Sequence, residues 1–140
     1  MTGDRYEEGM RVRREVHGDE HVDAATARTT DLTREFQELL TRYAWGEIWS
    51  RPGLPRRERS LVTLGVLAAL GRADELRMHV GAALRNGVTR AELEEVLLQV
   101  AVYCGLPAAN VAFHLAEEAL AAGDGAAREP AGEGEKEDDA

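Results

Sequence analysis

This chain has very little of several residue types that carry specialised chemistry. It contains a single cysteine, Cys104, so no disulfide can form within the chain and no cysteine pair can act in redox chemistry. Lysine occurs only at Lys136, and arginine supplies every other cation. Aromatic residues make up 5% of the chain, so the position of its two tryptophans is informative.

Sequence patterns for metal and phosphate binding are also missing. There is no HExxH motif and no cluster of cysteine and histidine, and the only glycine-rich run lies at the C-terminus. We therefore expect neither a metal nor a cofactor. Arginines and acids interrupt every apolar run, and the N-terminus lacks the pattern of a signal peptide, which predicts a soluble cytoplasmic protein without a membrane segment.

The formal net charge of −9 is unevenly distributed. Much of it belongs to residues 123–140, which contain almost no large apolar side chain and are predicted to be a disordered acidic tail. Residues 1–122 are closer to neutral and long enough for one domain with one core. The overall acidity argues against a nucleic-acid partner.

The spacing of apolar residues predicts an all-α fold, a compact bundle of about six helices. No segment shows the turn-bounded alternation of a strand, and Asp19 to Thr30 is interpreted as a loop with local turns. Thr89 and Glu92 form a capping box at the start of the fifth helix. The six helices are predicted from Tyr6 to Val16, Leu32 to Tyr43, Pro55 to Leu70, Ala73 to Arg85, Thr89 to about Gly105, and Pro107 to Leu120.

The third predicted helix is apolar on nearly all sides between Leu61 and Leu70. Such a helix lies at the centre of a fold or at a subunit interface. A single short chain can cover it only in part, so we expect this protein to form a homo-oligomer.

The segment from Tyr43 to Leu54 is the strongest candidate for a ligand site. It contains Trp45, Glu47, Trp49 and Arg51, and it ends in a Pro-Gly turn. Aromatic side chains beside a carboxylate and a guanidinium, where a helix gives way to a loop, suit a small anionic ligand. Two alternatives stay open: Glu47 and Arg51 could be a surface ion pair, and the tryptophans could be core or interface residues.

His79 is the second candidate. Glu75 precedes it by four residues, so both side chains lie on one helical face. A neighbouring carboxylate raises the pKa of an imidazole and fixes its tautomer, as a general acid requires. The alternative is a structural histidine beside a surface glutamate. Arg57 belongs to a run of arginines at a helix N-terminus, where cations are unfavourable, and this suggests an anion or an acidic neighbour from another subunit.

Taken together, these motifs resemble the carboxymuconolactone decarboxylase family. The resemblance covers about Tyr6 to Leu120 and depends on several motifs in the same order. They are Trp45-Gly-Glu-Ile-Trp-Ser-Arg-Pro-Gly-Leu54, Arg57-x-Arg-Ser-Leu61, Glu75-Leu-Arg-Met-His79, Ala83-Leu-Arg-Asn-Gly87 and Ala101-Val-Tyr-Cys-Gly-Leu-Pro107. Peroxidase-type relatives, the alkyl hydroperoxide reductase D proteins, use a Cys-x-x-Cys pair that this chain lacks. The resemblance therefore points to the decarboxylase branch.

The resemblance implies an all-α homo-oligomer, commonly a hexamer, that needs no cofactor. It implies decarboxylation of 4-carboxymuconolactone, a small lactone with two carboxylates, to the β-ketoadipate enol-lactone in protocatechuate breakdown. His79 would then be the proton donor and Glu47 its partner. Arg51, Arg57, Trp45 and Trp49 would contact the substrate. Two alternatives stay open: a non-catalytic binding or scaffold protein of the same fold, and an enzyme for another small acid.

Overall fold

A computed structural model describes residues 5–128 of the chain, with side chains as far as residue 123. All regular secondary structure in this range is helical, which confirms the all-α prediction. Its α-helices are α1 (Arg5–His17), α2 (Asp19–Ala27), α3 (Arg34–Leu40), α4 (Arg56–Leu70), α5 (Ala73–Arg85), α6 (Arg90–Cys104) and α7 (Leu106–Arg128). A π-helical segment, Thr41–Trp49, continues α3. Over the same range, no helix combines the length and apolar character that crossing a membrane requires.

The helix ends follow the local signals in the sequence. The capping box is present: the Thr89 hydroxyl accepts from the Glu92 backbone N–H, and the Glu92 carboxylate accepts from the Thr89 N–H. Gly71 ends α4 in the left-handed conformation, with φ of 70°, which glycine adopts without steric cost. These ends set the positions of α4, α5 and α6 along the chain.

The predicted loop from Asp19 to Thr30 is wrong, because its first nine residues form α2. Two acids in the first turn favour this helix N-terminus, and Arg14 on α1 pairs with Asp19 and Asp23 at 3.1 and 2.8 Å. Val22, its main apolar residue, is fully buried. One buried valine and two ion pairs to α1 hold a helix that is too polar to show an apolar stripe.

The predicted helix from Leu32 to Tyr43 is also corrected. It begins at Arg34 and changes to π-helical hydrogen bonding at Thr41. Much of its apolar stripe lies outside the core of this chain, because Phe36, Leu39 and Tyr43 are about 60% exposed, although Leu40 packs against buried residues. The amphipathic spacing was therefore a correct sign of a helix but not of burial within one chain.

The last helix continues beyond the domain boundary predicted at residue 122. It ends at Arg128, six residues later. The remaining part of the predicted acidic tail, residues 129–140, lies outside the described residues. Its disorder stays a prediction.

Two groups of buried side chains hold the fold together. The larger joins α4, α5, α6 and α7 through residues such as Leu64, Leu76, Val80 and Leu97. The smaller joins α1, the π-helical segment and α5 through Val12, Val16, Trp45 and Ala82. The aromatic motif of the sequence lies in this smaller core.

Two glycines allow α1 to cross the π-helical segment in backbone contact. A Cβ on Gly9 would lie far inside van der Waals distance of the Thr41 carbonyl oxygen and 2.9 Å from the Gly46 nitrogen. A Cβ on Gly46 would collide with the carbonyl of Arg5. No side chain fits at either position, so this close crossing determines where α1 lies relative to Trp45.

Candidate active site

Four rings from three parts of the chain form a compact cluster. His17 comes from the end of α1, Trp45 and Trp49 from the π-helical segment, and His79 from α5. The His17 ring stands edge-on to both Trp45 and His79, with centroid distances of 5.1 and 4.8 Å. The two indoles stack at 5.1 Å. The structure thus brings together three predicted site residues, His79, Trp45 and Trp49.

The His79 ring is nearly parallel to both indoles. Its centroid is 6.5 Å from that of Trp45 and 6.2 Å from that of Trp49, with interplanar angles of 12° and 17°. His21, at the start of α2, extends the cluster by stacking on His17 at 4.5 Å. The π-helical segment presents both indoles toward α5, and π-helical turns occur often at functional sites.

The imidazoles of this cluster are neutral at neutral pH. Burial, with a smaller contribution from the nearby His21, lowers the pKa of His79 from 6.5 to about 4. Glu75 acts in the predicted direction and raises the pKa, but burial outweighs it, so the predicted net increase is wrong. Burial also lowers the pKa of His17 to about 3, with contributions from His79, His21 and two arginines.

This electrostatic state determines what the cluster can do chemically. A neutral imidazole has one N–H donor and one nitrogen acceptor. A carboxylate that enters beside it favours the imidazolium and raises the pKa. An anionic ligand would therefore bring a proton onto a histidine that the free protein holds neutral.

Glu47 lies on the outer side of the helix crossing. Its carboxylate pairs with Arg5 of α1 at 2.6 Å, and both side chains are about half exposed. In the described part of the chain, no hydrogen bond, ion pair or ring contact joins Glu47 to His79. The structure places the predicted partner of His79 in a different ion pair.

The two predicted substrate arginines lie in different settings. Arg51 follows the π-helical segment and is exposed, and its carbonyl oxygen accepts from Arg59 at 3.3 Å. Its guanidinium has no ion-pair partner among the described residues. Arg57 pairs instead with Glu58 and with Glu92, linking α4 to α6. Glu58 and Glu92 thus already pair with Arg57. Both belong to the same chain, so the acidic neighbour of Arg57 does not come from another subunit.

Sequence reasoning missed His17, His21 and Arg13. Arg13 is only 8% exposed, and its charge lowers the pKa of both His17 and His21. Arg13 and His17 are four residues apart on α1, which was an available signal for a shared face. The fold of α2 brings His21 to them, and no local pattern indicated that helix.

The largest cavity described lies elsewhere, between α4 and α6. It has a volume of about 670 Å³, a mostly apolar lining, and two carboxylates, Glu92 and Glu95. Cys104 also lines it and is exposed, whereas a lone cysteine is typically buried. An apolar groove with acidic side chains does not suit an anionic ligand, so the ring cluster is the better candidate site.

Within residues 5–128, no three or more side chains of histidine, cysteine, aspartate or glutamate are arranged to hold a metal ion.

The sequence model of the carboxymuconolactone decarboxylase family matches residues 34–118. This chain belongs to that family. The match includes Trp45, Trp49 and His79, and it begins after α1 and α2.

Two relatives extend the similarity over most of the chain. A 4-carboxymuconolactone decarboxylase from Acinetobacter baylyi is 55% identical over 114 residues, which is 81% of this chain and 85% of the relative. A nitrosuccinic acid decarboxylase, npaB, from Metarhizium robertsii is 43% identical over 115 residues, 82% of this chain and 80% of the relative. Both relatives are named as decarboxylases of small acids.

Proposed function

We propose that this protein is a cofactor-independent carboxy-lyase that converts 4-carboxymuconolactone to the β-ketoadipate enol-lactone. The observation that carries the proposal is the 55% identity to a 4-carboxymuconolactone decarboxylase over 81% of the chain. The ring cluster supports it, because buried neutral imidazoles beside two indoles suit a reaction that needs a proton and a site with little water.

The chemistry requires no electron acceptor other than the substrate. The C–C bond to the departing carboxylate breaks, CO2 leaves, and the electron pair moves into the ring conjugated with the lactone carbonyl. A ring carbon then takes up one proton, so the net reaction consumes one proton for each CO2 released. The protein must bind the remaining carboxylate, stabilise the developing enolate oxygen and supply that proton.

His79 is the proposed proton donor. It is neutral in the free protein, and the carboxylates of the bound substrate would raise its pKa and load it with the proton that the reaction consumes. Trp45 and Trp49 would cover the substrate and limit water, which strengthens each electrostatic contact. The Arg5 ion pair supports a positioning role for Glu47 at the helix crossing rather than proton transfer.

Arg51 is the proposed carboxylate ligand carried over from the sequence. Its exposed guanidinium has no carboxylate partner in the described range, which leaves it available to a substrate. Arg57 is a weaker candidate, because Glu58 and Glu92 would have to release it.

Self-association is part of the proposal, with a hexamer as the expected form. The exposed face of α4 includes Val62 and Val66, which are 58% and 49% exposed, and Tyr103 beside them is 79% exposed. Apolar side chains grouped in this way are typical of surfaces that bind another protein chain. A second such surface lies on α3 and the π-helical segment, where Phe36, Leu39 and Tyr43 are exposed.

A second candidate reaction is decarboxylation of another small acid, and the 43% identity to a nitrosuccinic acid decarboxylase favours it. A nitro group beside the reacting carbon can accept the electron pair as the lactone carbonyl does. The same proton donor and carboxylate ligands would serve both reactions. A non-catalytic scaffold of the same fold is the remaining alternative.

One assay separates these possibilities. Purified protein is incubated in parallel with 4-carboxymuconolactone and with nitrosuccinate, and CO2 release is followed together with product formation. We expect rapid turnover of the lactone and little of nitrosuccinate. The reverse preference would reassign the substrate, and no turnover of either compound would favour the scaffold.

A further inference from the structure

A second cavity, which is polar, lies between α1, the end of α2 and α3. Its volume is about 300 Å³, and polar side chains supply much of its lining. These include the hydroxyls of three threonines, one amide and two guanidinium groups: Thr26, Thr29, Thr41, Gln37, Arg13 and Arg34. This composition differs from that of the apolar groove between α4 and α6.

Arg13 is the buried charge of this cavity. Only 8% of the residue is exposed, yet its acceptors are neutral and distant: Gln37 Oε1 at 3.4 Å from both terminal nitrogens, and Thr41 Oγ1 at 3.5 Å. Its buried Nε has no acceptor among the described residues. A buried guanidinium is stable only when anions or several good acceptors satisfy it, and among the described residues Arg13 has only these long bonds and no carboxylate partner.

The other charged side chains at this cavity are already paired. Arg34 binds Asp31 at 2.8 Å, and Glu38, which also lines the cavity, lies 3.7 Å from Arg42. The carboxylates nearest in sequence on α1, Glu8 and Glu15, pair with Arg11. No described carboxylate is therefore available to Arg13, and the cavity has an excess of positive charge.

Arg13 is also close to the ring cluster. It precedes His17 by four residues of α1, a rise of about 6 Å along the helix. Burial and the charge of Arg13 together lower the pKa of His21, and the same charge acts on His17. An anion bound at Arg13 would thus lie near His17 and His21, and the His17 ring contacts that of His79 at 4.8 Å.

We propose that Arg13, in place of the exposed Arg51 that the sequence suggested, binds the carboxylate that remains on the substrate, in the cavity between α1, the end of α2 and α3, and that the site selects small dicarboxylic acids. This inference rests on the proposed function and adds a positioning residue that the sequence did not indicate. Arg13 can offer its unpartnered Nε and a terminal nitrogen as a bidentate donor. The departing carboxylate would then face the ring cluster.

Three matched variants test the proposal: Arg13→Met, Arg51→Met and Arg11→Met. Each removes one guanidinium, and Arg11 is an exposed control on the same helix. Binding of succinate, an unreactive dicarboxylate, is measured by calorimetry at constant ionic strength, and kcat and KM are measured with the lactone. We expect Arg13→Met to weaken succinate binding and raise KM by at least about tenfold, with Arg11→Met unchanged.

Thermal stability distinguishes a ligand-binding role of Arg13 from a purely structural role. Removing an unpartnered buried charge should leave Tm unchanged or raise it, while succinate should raise the Tm of the wild-type protein but not of Arg13→Met. If Arg13→Met does not fold, Arg13→Gln decides, because its amide removes the charge but keeps a polar group in the polar cavity. Arg13→Gln should weaken succinate binding and raise KM as Arg13→Met does.

The outcomes separate this site from the proposed function. Wild-type affinity and KM in a folded Arg13 variant, with losses in Arg51→Met instead, would overturn the role of Arg13 and leave the decarboxylase proposal intact. Succinate binding that depends on Arg13, in a protein that does not turn over the lactone, would support the site and reject the reaction. Equal losses in Arg11→Met would show only a general charge effect and would overturn the site.

Discussion

Burial sets the charge of His79, and this has a direct consequence for catalysis. The free protein holds the imidazole neutral, with a pKa of about 4, and a bound anion would raise that pKa and favour the protonated form. Glutamine keeps a similar size and a hydrogen-bond donor but cannot transfer a proton. We expect His79→Gln to lower kcat for the lactone by roughly 10²–10⁴-fold with the fold intact.

Steady-state kinetics on His79→Gln, with circular dichroism as the folding control, measures this effect. His114→Gln is the matched variant, because His114 is an exposed histidine on α7, outside the ring cluster. Its kcat should equal that of the wild type. Near-wild-type turnover by His79→Gln would remove His79 from the mechanism.

The same burial predicts a pH dependence of stability. The folded pKa of His79, about 4, lies below its ordinary value of 6.5, so the unfolded chain takes up protons that the folded chain does not. Stability is complete above about pH 6.5 and is lost as the pH falls toward 4, by roughly 3 kcal/mol from this residue. His17 acts in the same direction down to about pH 3.

Urea unfolding at pH 7, 6, 5 and 4 checks this prediction. His79→Gln should lose less stability than the wild type over that range, because glutamine does not titrate. A wild-type protein that is equally stable at pH 7 and pH 4 would contradict the burial of neutral imidazoles.

Sequence reasoning found the residues whose neighbours are close along the chain. Trp45, Trp49 and His79 stood out because each belongs to a short motif, and the structure places their rings together. Arg13 and His21 did not stand out, because their surroundings come from helices distant in sequence. The low pKa of His79 was missed for the same reason: Glu75 is visible in the sequence, but burial is not.

The helices were predictable to the extent that local chemistry defines them. The capping box and Gly71 located α6 and the end of α4 correctly. Helix α2 was missed because ion pairs with Arg14 and a single buried valine hold it. The π-helical hydrogen bonding of Thr41–Trp49 has no local sequence signature, and the crossing with α1 at Gly9 and Gly46 accompanies it.

That crossing gives a prediction for a single element. Gly9→Ala would push a methyl group into the Thr41 carbonyl oxygen and displace α1 from the π-helical segment, and with it His17 from Trp45. We expect a loss of stability of roughly 3 kcal/mol or more, together with lower activity. Chemical denaturation and lactone turnover measure the two effects.

Gly81→Ala is the matched control for this substitution. Gly81 is exposed on α5, and a Cβ built there meets no atom within 4 Å. Alanine is the better helix former, so this variant should gain about 0.5–1 kcal/mol. Equal tolerance of alanine at both positions would show that the close crossing does not hold the site together.

Across the whole molecule, some apolar side chains lie in the core and others are exposed to solvent. The main core of α4 to α7 packs on one side of α4 around Leu64, while Val62 and Val66 on its other side remain exposed. The two indoles of the ring cluster lie in the smaller core, which joins α1, the π-helical segment and α5. A second chain that covered α4 and α6 would bury the exposed apolar side chains there without altering the ring cluster of either chain.

This arrangement predicts that the oligomer forms through α4 and α6. Light scattering at micromolar protein should give a mass well above that of one chain of 15.3 kDa, with a hexamer as the expected form. Val66→Glu places a charge in the apolar groove next to Glu92 and Glu95, so it should dissociate that contact by repulsion and desolvation. Ala122→Glu, at an exposed position on α7, is the matched control and should keep the wild-type mass. If Val66→Glu also kept that mass, the subunits would have to associate through another surface, such as the exposed side of α3, and a monomeric wild-type protein would reject self-association altogether.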